Sequence, residues 1–300
     1  MLDFLLSNIG QGLIYAPIVL GVYITYSILD FPDLSVDGTF PLGAAVTAVC
    51  VVSGLHPLLA MLLAIAAGAA AGFVTGALHV YLRITNLLCG ILTMTALYSV
   101  NLHIMGGKAN IALSSRTMLF PADVTNPSMN LLNSVFIALA IVVVVKVLLD
   151  LYMTTFAGKS LLAAGVNEQL VKTLAINTGR LKITGLMLAN GLAALSGSMM
   201  AQYQRFADVG MGSGTVVIGL AAVIIGRAVF GRARFIQGST SVIFGSIIYK
   251  LAIGTALKLG LPAEDMKIMT AVFFVLVIVL QNPAIYKKLS GVFKGGRNDA

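Results

Sequence analysis

Nine apolar runs recur along this chain with few charges inside them, at about residues 8–29, 40–54, 57–82, 86–105, 130–153, 183–204, 214–230, 235–258 and 267–283. A helix rising 1.5 Å per residue needs ~20 residues to cross ~30 Å of hydrocarbon. In lipid it also satisfies its own backbone polar groups, which an open strand does not. The expectation is an all-α polytopic membrane protein with about nine transmembrane segments, eight to ten given the marginal run at 40–54. The composition closes the other routes. Of 300 residues, 58% are hydrophobic and 10% charged, where soluble domains carry about 25% charged residues. Mean hydropathy is +0.97. Too little polar side chain is present to cover a water-facing surface, which excludes a cytosolic enzyme, a secreted domain and a disordered chain. The chain reads as one transmembrane domain, 1–300. Cys50 and Cys89 both fall in apolar runs and are expected as free thiols. Asp3 and the lack of Lys or Arg ahead of the first run do not make the charged start of a cleavable signal peptide.

The net charge of +8 marks topology. Alternating the runs from a cytoplasmic C-terminus puts Arg83, Lys159, Lys172, Arg180, Lys182, Arg227, Arg232, Arg234, Lys287, Lys288, Lys294 and Arg297 inside. Lys108, Arg116, Arg205, Lys258 and Lys267 then fall outside. Cytoplasmic loops carry the excess of Lys and Arg, so the C-terminus is expected in the cytoplasm, the loop 106–129 outside and the loop 154–182 inside.

Runs 40–54 and 214–230 are too short to cross as straight helices, and each follows a break rich in Gly, Asp or Ser. Residues 38–45 (GTFPLGAA) resemble residues 214–221 (GTVVIGLA), with Gly, Thr, Gly and the final Ala in register. The two copies lie five spans apart, an odd number, which inverts one relative to the other. The expected architecture is therefore a pair of inverted repeats, about 8–105 and 183–283, each with a half-helix beside a pathway. The N-termini of those half-helices would offer free N–H groups to a polar or anionic substrate group.

Most local motifs carry no chemistry. Gly158-Lys159-Ser160 ends like a phosphate-binding loop, but Met153 stands where the motif needs Gly and no buried strand precedes it. His56, His79 and His103 lack metal-ligand spacing, so neither metal nor cofactor is expected. Gly68, Gly72 and Gly76 let another backbone approach the third span. Lys146 and Asp150 are spaced to pair along one helix face, and Lys250 belongs near a helix end or in the bundle interior. Asp33 and Asp37 are a close acidic pair placed in a loop. Polar groups inside spans face protein or water, which makes Gly38, Thr39, Asn86, Thr93, Asn101, Asn190, Gly214 and Thr215 the pathway candidates. In the loop 154–182, Leu161, Leu162, Val166, Leu170, Leu174 and Ile176 recur at helical spacing. That predicts one or two short amphipathic helices, broken at Gly165, with Glu168 exposed between the apolar positions.

Taken together, residues 155–167 (TFAGKSLLAAGVN), 174–177 (LAIN), 188–197 (LANGLAALSG), 214–227 (GTVVIGLAAVIIGR) and 33–38 (DLSVDG) resemble the permease subunits of ABC importers of the branched-chain amino acid and ribose type. The pattern is most similar to the subgroup linked with tryptophan and tyrosine uptake. Ala175 departs from it, since the family often has Gly before Ile-Asn. The resemblance implies an ABC permease fold and an ATP-driven importer of a small solute such as an amino acid, with no catalysis in this chain. It implies a cytoplasmic ABC ATPase dimer, a second permease subunit in a homodimer, and an extracytoplasmic substrate-binding protein, all at the plasma or inner membrane of a prokaryote. Coupling to the ATPase would fall to Gly158, Ala164, Gly165, Asn167, Glu168, Ile176 and Asn177. The alternative is a secondary transporter driven by an ion gradient, which would need charged residues buried near the two half-helices.

Overall fold

The computed structural model describes residues 1–113, 118–120, 127–230, 237–262 and 265–281. Arg116, Arg232, Arg234, Lys287, Lys288, Lys294 and Arg297, used above for topology, lie outside the described residues. Each apolar run is a helix. Helix α1 (Leu2–Val22) continues into a π-helical turn at Tyr23–Ile28. Then come α2 (Val36–Val52), α3 (Pro57–Leu82), α4 (Asn86–Ile104) and α5 (Pro127–Thr154). Two short helices follow, α6 (Phe156–Val166) and α7 (Glu168–Thr173), before α8 (Thr178–Gln204), α9 (Thr215–Phe230), α10 (Gly238–Lys258) and α11 (Met266–Gln281). Seven described helical stretches are long and apolar enough to cross a membrane, α9 reaching that length only with the 3-10 turn Val209–Gly212 before it. Helix α2 has 17 residues, short of a full crossing, and the described part of α11 has 16. The sequence missed one element: Asn110–Ala112 (β1) pairs antiparallel with Phe206–Asp208 (β2), strands too short to show a period.

The ends are set by local chemistry. Helix α3 starts with Pro57 in its first turn, and the His56 side chain accepts from Leu58 N–H. Thr155, Asn167 and Asn177 cap α6, α7 and α8 with side-chain oxygens. The predicted break of the inside loop at Gly165 is displaced. Helix α6 runs through Gly165, and the chain turns at Asn167, whose φ of −152° is extended. Gly165 is needed for another reason: a Cβ there would collide with the Ile28 carbonyl oxygen at the end of the π-turn.

Helix α8 is the hub, packed against α1, α2 and α3. In lipid there is no hydrophobic drive between helices, so close backbone packing and hydrogen bonds must hold them together. Gly68 and Gly72 of α3 abut the α8 backbone at Asn190 and Leu186, and Gly76 abuts Ile183. Gly43 of α2 meets the Ala194 carbonyl, and Gly197 of α8 meets the Phe40 carbonyl. Hydrogen bonds stitch the same surfaces: Ser196 to the Ile14 carbonyl (2.7 Å), Thr47 to Ser198 (2.6 Å) and Ser246 to the Gly12 carbonyl (2.9 Å). Helices α9 and α10 pack against each other and against α1. Lys250 of α10 sits in the bundle interior with Nζ 3.8 Å from the centre of the Tyr15 ring, a cation–π contact. Lys146 and Asp150 pair at 2.8 Å, and Asp150 also accepts from Ser239 (2.8 Å), so the pair is structural.

Ala175 has φ of +57°, in the left-handed region that suits glycine. Its departure from the family pattern therefore carries backbone strain of about 1 kcal/mol. Ala175→Gly is expected to slow hydrogen exchange of the Leu174 to Thr178 amides about threefold, the glycine's extra unfolded-state freedom offsetting part of the relief. Faster exchange would show that the turn is unstrained.

Candidate functional site

The two short helices begin beside each other in the middle of the bundle. Asn190, the thirteenth of the 27 residues of α8, marks that depth, and Thr39 in the first turn of α2 donates to its Oδ1 at 2.7 Å. Asp37, also in the first turn of α2, reaches across to the start of α9. Its Oδ1 accepts from Val216 N–H and from the Thr215 hydroxyl, both at 2.8 Å. Its Oδ2 accepts from Gly214 N–H at 3.0 Å. One carboxylate thus lies where two helices present their positive ends, and neutralises both. Gly214 has φ of +86°, which turns the chain into α9 where a side chain would be strained. Pro41 has no N–H to give the Asp37 carbonyl within α2, and Gly212 packs on that carbonyl.

A second carboxylate lies deeper. Asp33 is 3% exposed. Its Oδ1 accepts from Ser35 N–H (2.9 Å) and the Ser35 hydroxyl (2.6 Å), and its Oδ2 from Asn190 Nδ2 (2.8 Å). A buried carboxylate needs such donors, because desolvation otherwise disfavours its charge. Asn190 therefore joins three chain segments: Asp33 in the break, Thr39 on α2, and its own helix through the Leu186 carbonyl (3.1 Å).

Six of the eight pathway candidates gather here: Gly38, Thr39, Asn101, Asn190, Gly214 and Thr215. Gly38 lets α2 approach α4 at Met94 and Leu97, and Asn101 Nδ2 donates to the Gly38 carbonyl at 3.1 Å. Asn86 and Thr93 stand apart. Asn86 opens α4 at its far end, and Thr93 accepts from Thr75 of α3 at 3.0 Å. Asp33 lies in the irregular break, as the sequence predicts, whereas the structure moves Asp37 from loop into the first turn of α2. They are the charged groups at both half-helices, and their carboxylates take up the N–H groups expected to be free for substrate. Buried acids near the half-helices are what an ion-driven carrier would use. Here each Asp37 and Asp33 oxygen accepts at least one hydrogen bond from this chain, which gives both carboxylates a structural role.

Beside the crossing lies a cavity of about 400 Å³ between α2, α4 and the segment entering α9, bordered by Asp37, Asn101, Met94, Tyr98 and Ser213.

On the loop 154–182, the residues expected to couple mostly face their own chain. Gly158 and Ala164 are buried, Gly165 abuts Ile28, Ile176 is half-buried, and Asn167 and Asn177 are helix caps. Glu168 is not the free exposed charge the sequence implied. It pairs with Lys182 and Lys172, each at 2.9 Å, and accepts from Thr178 at 3.1 Å. The Lys182 hydrogen bond, then that of Lys172, holds its carboxyl down to about 2. A depressed acid stabilises above its unfolded value, and that contribution fades only as pH falls from about 4.5 toward 2. At 36% side-chain exposure the gain is a fraction of a kcal/mol. Among exposed polar residues such as Lys159, Gln169 and Lys172, the loop also exposes a set of apolar side chains, Phe156, Leu162, Val166, Leu170 and Leu174, with Val166 89% exposed. The period of the sequence found all of these but Phe156, and could not say which face was covered.

A helical bundle crossing a membrane many times, with broken helices meeting at mid-depth beside a small cavity, is built as a solute permease. The chain belongs to the ABC importer permease family described as branched-chain amino acid transport system / permease component, whose model matches residues 4–281. It is 46% identical over 278 residues to a tyrosine transport system permease protein of Clostridioides difficile, covering 93% of this chain and 91% of that one. It is 34% identical over 277 residues to an uncharacterised protein of Rickettsia prowazekii, covering 90% and 95%. The ribose import permease of Escherichia coli is 27% identical over 264 residues, covering 83% and 77%. No solved structure matches the chain.

Proposed function

We propose that this permease carries an amino acid, with an aromatic one such as tyrosine the first candidate, in an importer powered by a separate ATPase dimer and fed by an extracytoplasmic binding protein. The observation that carries the ATPase docking is the exposed apolar face of α6 and α7, on a loop of a chain with no nucleotide motif of its own. The name of the 46% identical relative supports the solute. Two copies of this chain would enclose the pathway in a prokaryotic inner membrane. Inverted repeats support alternating access. Exchanging α1 with α8, α2 with α9, α3 with α10 and α4 with α11 maps the main packing partners onto one another. Gly43 of α2 sits against α8 just as Gly219, its match in α9, sits against α1. Closure of the ATPases would move both coupling loops and rock the repeats about the Asp37 clasp.

Docking is tested at Val166, because reversing Glu168 would break contacts within the chain. Val166→Asp buries a charge at the interface and should cut ATPase co-purification and ATP-driven tyrosine uptake in proteoliposomes at least ~tenfold, with yield unchanged. Full ATPase retention with normal uptake would argue against this docking face.

Sidedness follows the Lys and Arg bias. Single cysteines at Asn110 and Gln169, in a chain lacking Cys50 and Cys89, are offered an impermeant thiol reagent in intact cells. Only the first should label. Gln169 is preferred to Asn167, which caps α7. Labelling at Gln169 alone would invert the chain and remove the docking face from the cytoplasm.

A further inference from the structure

The cavity between α2 and α4 has an uneven polar lining. Asn101 is fully buried, and its Nδ2 is held by the Gly38 carbonyl at 3.1 Å. That bond fixes the amide's orientation, since the flipped form would set two carbonyl oxygens against each other. Its Oδ1 is then a buried acceptor with no donor among the described residues. Such a group is costly to leave unpaired, by about 1–3 kcal/mol. The second polar group on the wall is Asp37, whose Oδ2 takes only Gly214 N–H while Oδ1 takes two donors. A carboxylate accommodates about four donors, so Oδ2 keeps room for one more. Among the described residues, no Lys or Arg lines the cavity. The remaining wall is largely apolar or aromatic, with Pro41, Met94, Val209 and the Tyr98 ring, and also carries the hydroxyls of Thr95 and Ser213.

We infer that this cavity is a subsite for solutes bearing a primary ammonium, which donates to Asn101 Oδ1 and to the Asp37 carboxylate while a flat apolar body rests against Met94 and Tyr98. The inference rests on the permease reading of this site and deepens it. A solute entering with a carboxylate or phosphate first would bring a second anion beside Asp37, with no Lys or Arg on the described wall to answer it. Three donors are what an ammonium brings, and the ring of Tyr98 adds a face that attracts a cation. Discrimination of this kind is built into the permease wall itself, in addition to whatever a binding protein selects.

The test uses the assembled transporter with Cys50 and Cys89 replaced and a single cysteine at Thr95, an exposed residue of the cavity wall. The rate of modification by a neutral thiol reagent is followed with tyramine or with 3-(4-hydroxyphenyl)propionate present. These share a ring and differ in carrying an ammonium or a carboxylate. Tyramine should protect Thr95→Cys and the acid should not. Adding Asn101→Leu should raise the half-protecting tyramine concentration roughly tenfold or more, the usual effect of deleting a hydrogen bond to a charged group. ATPase co-purification at the parent's level and an unchanged modification rate without solute show that the leucine variant is folded, so a folding defect does not decide the matter. Equal protection by the two compounds, or better protection by the acid, overturns the ammonium assignment. The pathway reading is judged separately, by whether modification at Thr95→Cys stops ATP-driven tyrosine uptake. Selective protection with undiminished uptake keeps the subsite and removes it from the path. Blocked uptake without selective protection keeps the path and rejects the subsite's chemistry.

Discussion

Asp37→Ala is expected to abolish uptake and to cost the folded bundle about 3–5 kcal/mol. The carboxylate accepts three donors from the start of α9, two of them backbone N–H groups of Gly214 and Val216. A hydrogen bond to a charged group contributes roughly 1.5–3 kcal/mol, and each buried donor left unpaired costs about 1–3 kcal/mol. The three are not additive, because they share one anion, which keeps the total well below their sum. Removing the anion also leaves two helix N-termini facing each other with their positive ends uncompensated. Asp37→Asn separates these contributions. Its one carbonyl oxygen can still accept from Thr215 and Val216, while the charge and the bond to Gly214 N–H are lost. We expect it to fold, with a lower midpoint of thermal unfolding in detergent, and to transport more slowly than the parent. Alanine at 37 should give background uptake and a poor yield of folded complex. Uptake within about twofold of the parent in the alanine variant, smaller than any such loss should leave, would mean that the clasp between α2 and α9 is dispensable.

Position in the membrane was written in the sequence; contact was not. Every apolar run became a helix within a few residues of its expected ends, because lipid leaves the backbone almost no other way to pair its polar groups. The breaks before 40 and 214 were legible for the same reason. What was missed at those breaks follows from a boundary drawn four residues late. The second run reads as starting at Phe40, because Asp33, Ser35 and Asp37 dilute its hydropathy, whereas α2 begins at Val36. An acid in the first turn, two residues after a Ser and followed by a proline inside the helix, is a helix start, and reading it so would have moved Asp37 from loop to helix. That Asp37 caps α9 rather than α2 could not be read at all, since it joins positions far apart along the chain. Asn86 and Thr93 lie away from the crossing, one opening a helix and the other bonded to a neighbouring helix, positions that polarity alone does not tell from a lining group. The pairing of Glu168 was half legible: Lys172 stands four residues on along α7, but Lys182 comes within reach only once the chain turns from α7 back to α8.

Asn190→Leu should be as damaging as the loss of Asp37, for a different reason. The amide answers a buried carboxylate, and the leucine has the size to fill the space but no donor to offer. Asp33, 3% exposed, would lose the Nδ2–H at 2.8 Å, and the Thr39 hydroxyl would lose its acceptor at 2.7 Å. Removing one partner of a buried charge costs about 3–5 kcal/mol, mostly the penalty of the charge left behind. Aspartate at 190 would be worse in principle, with two carboxylates sharing a site only one can occupy charged. The exchange of the two residues is the informative variant. Asp33→Asn combined with Asn190→Asp keeps one charge, one amide and the hydrogen bond between them, with donor and acceptor reversed. Folded yield and tyrosine uptake should be low in Asn190→Leu and Asn190→Asp, and the double exchange should recover at least part of both. That recovery, measured as a double-mutant coupling of about 1–3 kcal/mol in thermal or chemical unfolding, is the signature of a direct pair. If the exchange is no better than Asn190→Asp alone, Asn190 acts on α2 through Thr39 and not on the Asp33 charge. If Asn190→Leu transports like the parent, the buried network at the centre of the bundle holds nothing that transport needs.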